Sequence, residues 1–188
     1  MKGKILSAIF LMCAAGSSAQ VIPIDNGSFS IEYDTILMVP RSVVWILQPS
    51  DLGRIQREPS WRFAADPLCR GRQASHDDFR RSGYDRGHMC PAADRSRDIS
   101  SMKQTFVITN VCPQAPALHR GPWKRDEIRA RSYVLGGHKI RVMACPIYWQ
   151  ADTQLIGSSR VAVPHGFTKT IFADGSDSVI YARYYNNQ

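Results

Sequence analysis

The chain has 188 residues, of which 44% are hydrophobic, 10% aromatic and 21% charged, a mixture too apolar for a disordered polymer and too interrupted for a bundle of membrane spans. Twenty-four Lys and Arg against sixteen Asp and Glu give a formal net charge of +8. That excess excludes an acidic, polycation-seeking protein and favours polyanionic partners, without choosing among nucleic acid, acidic glycan and anionic surface.

In chain order, the first nineteen residues read as a secretory leader. Met1-Lys2-Gly3-Lys4 is a basic start, Ile5 to Ala15 is apolar, and Ser17-Ser18-Ala19 offers small residues at the −3 and −1 positions, so cleavage is expected before Gln20. The apolar run is too short to span a bilayer comfortably, and no later stretch is long and apolar enough to do so. The expectation is export, to the periplasm or outside the cell, with no membrane partner. Lys2 and Lys4 leave with the leader and no acid does, so residues 20–188 form one 169-residue domain at +6. Residues 29–47 are rich in β-branched and aromatic types, and Ser42-Val43-Val44-Trp45-Ile46-Leu47 reads as a buried strand. Residues 50–83, full of Pro, Arg, Asp and Gly, read as a long irregular connection of the kind that is functional or tied down. Thr105 to Thr109 is a β-prone run ending at Asn110. A helix is expected from Pro122-Trp123 to about Tyr133, with Pro122 in its first turn. Two hairpins follow: Ser132–Leu135 with Lys139–Ile147 around Gly136-Gly137-His138, and Thr168–Phe172 with Ser178–Tyr185 around Asp174-Gly175. Mostly strands with one central helix makes an α+β domain.

Chemistry concentrates in Asp85-Arg86-Gly87-His88. Histidine is suited to take a proton near neutral pH, arginine holds a phosphate through parallel hydrogen bonds, and Gly87 is read as the flexible point that lets both side chains reach one place. The string stands within Ser82 to Asp94. Some twenty residues on come Thr109-Asn110-Val111-Cys112-Pro113-Gln114, then Leu118-His119-Arg120-Gly121-Pro122-Trp123, then Glu127. In this order and spacing the segments resemble the DNA/RNA non-specific endonuclease family, the ββα-metal (His-Me finger) nucleases. Two motif blocks from Ser82 to Arg131 carry the resemblance. Weaker likeness runs through Val44-Trp45, Phe63 to Pro67 and Cys145 to Tyr148.

The resemblance implies an antiparallel sheet core with a central metal-site helix, and a secreted, metal-dependent, sequence-nonspecific endonuclease acting on DNA or RNA and leaving 5′ phosphates. Residue by residue, it implies His88 as general base, Arg86 on the scissile phosphate, Asn110 in support of the active centre, Glu127 ordering waters at the metal, and Arg131 facing the phosphate. An upstream arginine also binds substrate, and Arg57 and Arg62 are both candidates. Positions 119, 123, 127 and 131 fall on one helical stripe, with Trp123 read as a core anchor.

One position departs. Where the family has an asparagine whose oxygen binds Mg²⁺, this chain has His119, and imidazole suits Mn, Co, Ni or Zn better than Mg. The expected cofactor is one divalent ion near His119 and Glu127: Mg or Mn by family, a softer ion by ligand. The alternative is a catalytically impaired, basic nucleic-acid-binding protein on the same fold. Asp126, apolar in the family, is read as a solvated side chain, and His76, His138 and His165 as surface or loop residues.

Four cysteines remain after Cys13 leaves with the leader. They show no CxxC pair, which speaks against structural zinc, and in an oxidising compartment they suggest two disulfides. Cys90 and Cys112 each follow a candidate site residue, His88 and Asn110, by two positions. They are paired on that ground, leaving Cys69 with Cys145.

Overall fold

The computed structural model describes residues 21–149 and 153–188; the leader and its cleavage position fall outside them. In chain order the strands are β1 (Val21–Asp25), β2 (Ser30–Asp34), β3 (Val39–Leu47), β4 (Asp85–His88), β5 (Val111–Gln114), β6 (Ile140–Ile147), β7 (Leu155–Ile156), β8 (Val161–Ala162), β9 (Gly166–Ala173) and β10 (Val179–Asn186). The helices are α1 (Ile99–Gln104), the single turn α2 (Pro116–Leu118) and α3 (Lys124–Leu135). No helix among the described residues is long and apolar enough to cross a membrane.

Six strands pair antiparallel in the order β1-β2-β3-β6-β9-β10. Side chains of a strand alternate between faces, and residues directly opposite one another share a face. The register therefore sorts the sheet. Val43, Ala144 and Lys169 stand in one row and Trp45, Val142 and Ile171 in the next, and all six are buried. The intervening residues Val44, Met143 and Thr170 are only half-buried, the pattern of an antiparallel sheet with one covered face. The covering layer is the β4–β5 pair and α3, which together make a ββα unit. Trp123, fully buried, lies at the head of α3 with its ring 5.4 Å from Phe167 and 5.1 Å from Tyr185, so its reading as a core anchor holds.

Three expected elements differ. Residues 132–135 are the last turn of α3, so the Gly136-Gly137-His138 cue closes a helix instead of a hairpin. Gly137 has φ +95°, and the same left-handed preference that makes glycine a hairpin residue makes it a helix stop. Residues 105–109 are not a strand: Val107 makes one bridge to Ala64 and a 3₁₀ turn covers Ile108–Asn110, because the ladder partner of β4 begins only at Val111. Finally, His119–Trp123 is a kinked wide turn in which Gly121 leaves helical geometry (φ −106°, ψ −109°). The stripe through 123, 127 and 131 is real, and His119 stands across a kink from it. The hairpin around Asp174-Gly175 forms as β9–β10.

Candidate active site

Strand β4 carries the site. Its partner β5 sets Asp85 opposite Gln114 and His88 opposite Val111. Gly87 is needed here, but for a reason other than flexibility: it lies in the ladder, and a Cβ added to it would overlap the side-chain amide of fully buried Gln114. Beside the strand opens a cavity of about 460 Å³ lined by Arg57, Arg62, Phe63, His76, Asp85, Arg86, His119 and Arg120.

His88 sits between Phe63 and Phe106, ring centroids 4.6 and 4.9 Å away. Its Nε2 is inaccessible and without a hydrogen-bond partner among the described residues. Burial, reinforced by the positive charge of Arg57 and His119, pushes its pKa down to about 3. The imidazole is thus neutral, the form in which it accepts a proton. An unpartnered buried nitrogen costs about 1–3 kcal/mol, and such exceptions are expected where chemistry, not stability, sets the requirement.

Arg86 donates from Nε (3.0 Å) and Nη2 (2.8 Å) to the carbonyl of His76. That carbonyl begins the 3₁₀ turn His76–Phe79, whose Phe79 ring lies under the guanidinium. The arginine is thereby aimed along the cavity wall. His76 is no plain surface residue: its ring lines the cavity, Nδ1 is buried and unpartnered, and burial with Arg86 beside it holds its pKa low. Both upstream arginines reach the cavity, Arg57 over the Phe106 ring and Arg62 tied by Nη1 to the Pro59 carbonyl at 2.9 Å. Their exposed heads bring positive charge to one concavity.

His119 meets β4 directly. Its Nδ1 lies 2.9 Å from Asp85 Oδ2, and Arg120 grips the same carboxylate with Nη2 at 2.7 Å and Nε at 2.8 Å. The Arg120 guanidinium holds Asp85 below the usual carboxylate range. One His119 nitrogen is therefore committed, and the side chain, 32% exposed, leaves the other for the cavity. This donor suits a divalent transition ion. Among the described residues no three His, Cys, Asp or Glu side chains converge to hold a metal, and His119 is the imidazole whose second nitrogen is left to the cavity.

The remaining expected site residues lie behind this wall. Asn110 is fully buried. Its Nδ2 donates to the carbonyls of Cys90 and Thr105, and its Oδ1 accepts from the Cys90 amide at 2.9 Å. Every capacity of the amide goes into pinning the chain just after His88. Arg131 donates from Nη1 to Asp94 Oδ1 at 2.7 Å, and Asp94 Oδ2 accepts from Trp45 Nε1 at 2.9 Å. Arg131 therefore faces Asp94 and does not line the cavity. Glu127, 15% exposed, stands 3.9 Å from Lys169 Nζ and also lies outside the cavity lining. Burial pushes its pKa up to about 7, against the opposing pull of Lys169. Lys169 itself is buried with its ammonium 3.6 Å above the Trp123 ring. Asp126 is not solvated: its side chain is 2% exposed and accepts from Tyr185 and Tyr181 hydroxyls at 2.6 and 2.7 Å, with Arg129 and Arg183 at 3.2 and 3.3 Å. It fastens α3 to β10.

Neither expected disulfide is formed. Cys112 stands opposite Gly87 in the ladder, whereas Cys90 lies past the end of β4, where the chain bends. The Cys112 thiol has Cys145 as its charged-state neighbour, and burial pushes it up. Asp85, His76 and Arg120 are cavity residues that the sequence reading did not assign. The one available signal was that Asp85 and Arg120 each adjoin an assigned residue, Arg86 and His119.

The β4–β5 pair with α3, packed on one face of the antiparallel sheet, is the architecture of the ββα-metal fold. The chain belongs to the DNA/RNA non-specific endonuclease family, whose model matches residues 10–188. It is 30% identical over 158 residues to "Endonuclease G, mitochondrial" of Bos taurus, covering 77% of this chain and 53% of the relative. It is 30% identical over 121 residues to "Nuclease" of Nostoc sp., covering 64% and 44%. The chain thus spans about half the length of the curated relatives it matches. Its fold superimposes with a TM-score of 0.77 on a chain of the crystal structure of the EndoG/EndoGI complex, at 24% identity over 88% of this chain and 74% of that one.

Proposed function

We propose that this protein is an exported endonuclease that hydrolyses phosphodiester bonds of DNA or RNA without regard to sequence, with His88 as general base. The observation that carries this reading is a neutral, underpartnered imidazole packed 4.6 Å behind Phe63, itself on the lining of a cavity that includes four arginines, Arg57, Arg62, Arg86 and Arg120. Backbone phosphates are what such a lining recognises, and contacts confined to phosphates carry no sequence information. Export rests on the leader-like residues 1–19.

In this reading Arg86, with Arg57 or Arg62, binds the phosphate oxygens. His88 takes a proton from a water, whose oxygen attacks phosphorus in line. The phosphorus–O3′ bond breaks, giving a 5′ phosphate, and the departing 3′ oxyanion takes a proton from solvent water to become the 3′ hydroxyl. The arriving phosphate matters to the base itself. Its negative charge opposes the Arg57 charge that, after burial, holds His88 low in the free protein, and so brings the imidazole toward the range where a general base is effective. A divalent ion at His119, when bound, supplies Lewis-acid stabilisation of charge on the phosphate and the departing oxygen. Asn110 and Asp94 act on the geometry, holding the backbone after His88 and the flank of α3.

Purified protein incubated with plasmid and Mg²⁺, Mn²⁺, Co²⁺, Ni²⁺ or Zn²⁺ tests this directly. Cleavage with at least one ion is expected, and His119→Asn should move the preference toward Mg²⁺. DNA retention with no cleavage in any ion would establish the binding-only alternative in its place.

A further inference from the structure

Asp85 has no role in the reading above, yet it is the best-connected carboxylate at the cavity. It accepts from two directions: the forked Arg120 guanidinium takes Oδ1 at 2.7 Å and Oδ2 at 2.8 Å, and His119 Nδ1 approaches Oδ2 at 2.9 Å. A carboxylate gripped on both oxygens by a guanidinium fork only accepts hydrogen bonds. The nitrogen of His119 that faces it must then be the one that carries hydrogen. The kink at Gly121 lets the His119-Arg120 pair swing off the α3 axis and reach β4, three residues before His88. The arrangement spans the cavity mouth and joins the strand that bears the base to the turn that bears the metal donor.

We propose that Asp85 is a positioning residue that locks His119 in its Nδ1–H tautomer and ring orientation, so that Nε2 presents a lone pair to a divalent cation. The proposal rests on the reading of His119 as metal donor. The physical logic is that of carboxylate–histidine–metal triads: the carboxylate fixes the tautomer and makes the imidazole a stronger donor. An imidazole free in water favours the opposite tautomer, with hydrogen on Nε2, which cannot bind a metal there. An asparagine donor needs no such selection, since its carbonyl oxygen has no competing protonation state. A histidine at position 119 acquires the need, and Asp85 meets it. Arg120 contributes by occupying the remaining lone pairs and holding the carboxylate plane.

The test has two arms. Nitrogen-15 imidazole spectra of the metal-free protein report the tautomer without any variant. The proposal expects His119 with hydrogen on Nδ1, and hydrogen on Nε2 in the wild type would overturn it. Calorimetric titration with Co²⁺, read alongside its visible absorption, gives affinity and ligand field. Asp85→Ala should shift the tautomer toward Nε2–H and weaken Co²⁺ binding by about 10–100-fold. Asp85→Asn, nearly isosteric and still able to accept from Nδ1, should fall between Asp85→Ala and wild type. Arg120→Ala keeps the Asp85–His119 bond and should keep the Nδ1–H tautomer. A merely structural Asp85 predicts a lower melting temperature with tautomer and cobalt spectrum unchanged, and that result refutes the positioning role. If His119→Ala binds Co²⁺ as the wild type does, the metal-donor reading fails, and with it the metal half of this proposal. The tautomer spectra still decide separately whether Asp85 orients the ring.

Discussion

The cavity wall and the layer behind it are built from the same kinds of residue and treat them oppositely. At the wall, His76 on the lining and His88 packed behind Phe63 each hold a ring nitrogen with no hydrogen-bond partner among the described residues, and the heads of Arg57 and Arg62 keep most of their donors unused. Behind it, Asn110 meets three backbone groups, Asp94 joins Arg131 to Trp45, and Asp126 gathers two tyrosines and two arginines. A polar side chain satisfied by its own protein has nothing left for a substrate, while one left wanting is costly unless a ligand completes it. The layer behind has unmet groups among the described residues too, in Gln114, the Trp123 indole and the Lys169 ammonium, so what marks the groups placed to act is unmet capacity beside the cavity and not unmet capacity alone.

The sharpest way to break this division is to delete one member of each side. His88→Ala should lower plasmid cleavage by about 10²–10⁴-fold, the usual range for a positioned general base. Its melting temperature should fall only modestly at neutral pH, because the packing lost between Phe63 and Phe106 is partly offset by removal of an unpartnered nitrogen. Asp94→Ala should do the reverse in kind, removing about 3–5 kcal/mol of stability by stranding Arg131 and the Trp45 indole in a buried setting. Cleavage per folded molecule should then be far less affected. Equal destabilisation of the two variants in urea would erase the distinction.

A smaller effect is expected at the seam between the two layers. Gly87→Ala forces a methyl group against the Gln114 amide, which is fully buried and cannot swing into solvent. About 1–3 kcal/mol of overpacking strain should result, and His88, the next residue, should be displaced with it. Loss of activity without loss of stability would show that the glycine is present for something other than this contact.

The pH dependence separates the layers in another way. In the folded protein His88 stays neutral down to about 3, whereas in the unfolded chain it binds a proton near 6.5. Between those values the unfolded state holds the extra proton, so the stability tied to a neutral His88 is fully present above about 6.5 and drains away as pH falls toward 3. The slope from this group is at most about 1.4 kcal/mol per pH unit. His88→Asn should flatten denaturant-derived stability between pH 6 and 4 relative to the wild type. In the same range kcat/KM, which follows the free enzyme, should show no acid limb near 6.5 from this residue. A limb there that His88 variants remove would contradict the buried environment described above.

How much of this division could be read in advance depends on how local its causes are. The base and its arginine were legible because Asp85-Arg86-Gly87-His88 is contiguous, and β3 and the β9–β10 hairpin were legible because strand alternation and an Asp-Gly turn are written in neighbouring residues. The roles of Arg131 and Asp126 were not, because what decides them lies elsewhere in the chain: Asp94 is 37 positions before Arg131, and Tyr181 and Tyr185 are 55 and 59 positions after Asp126. A helical stripe says which residues share a face and nothing about which carboxylate awaits them. The kink at Gly121 was missed for a related reason. Pro122 reads as a helix start, but whether the turn before it is continuous depends on Asp85 pulling His119 and Arg120 toward β4.

The smallest predicted effect bears on which upstream arginine serves the cavity. Both line it, with different restraints: Arg57 lies over the Phe106 ring beside His88, while Arg62 spends a donor on the Pro59 carbonyl. Each variant to alanine should weaken binding of catalytically silent protein to duplex DNA and reduce the slope of log affinity against log salt by about one. Of the two arginines, Arg57 is the one that depresses His88. Arg57→Ala should therefore also raise the His88 pKa, measurable by proton NMR titration, while Arg62→Ala should leave it in place. Equal movement of the His88 resonance in both variants would mean that the cavity acts on its base as a diffuse positive field, with no single arginine set apart for it.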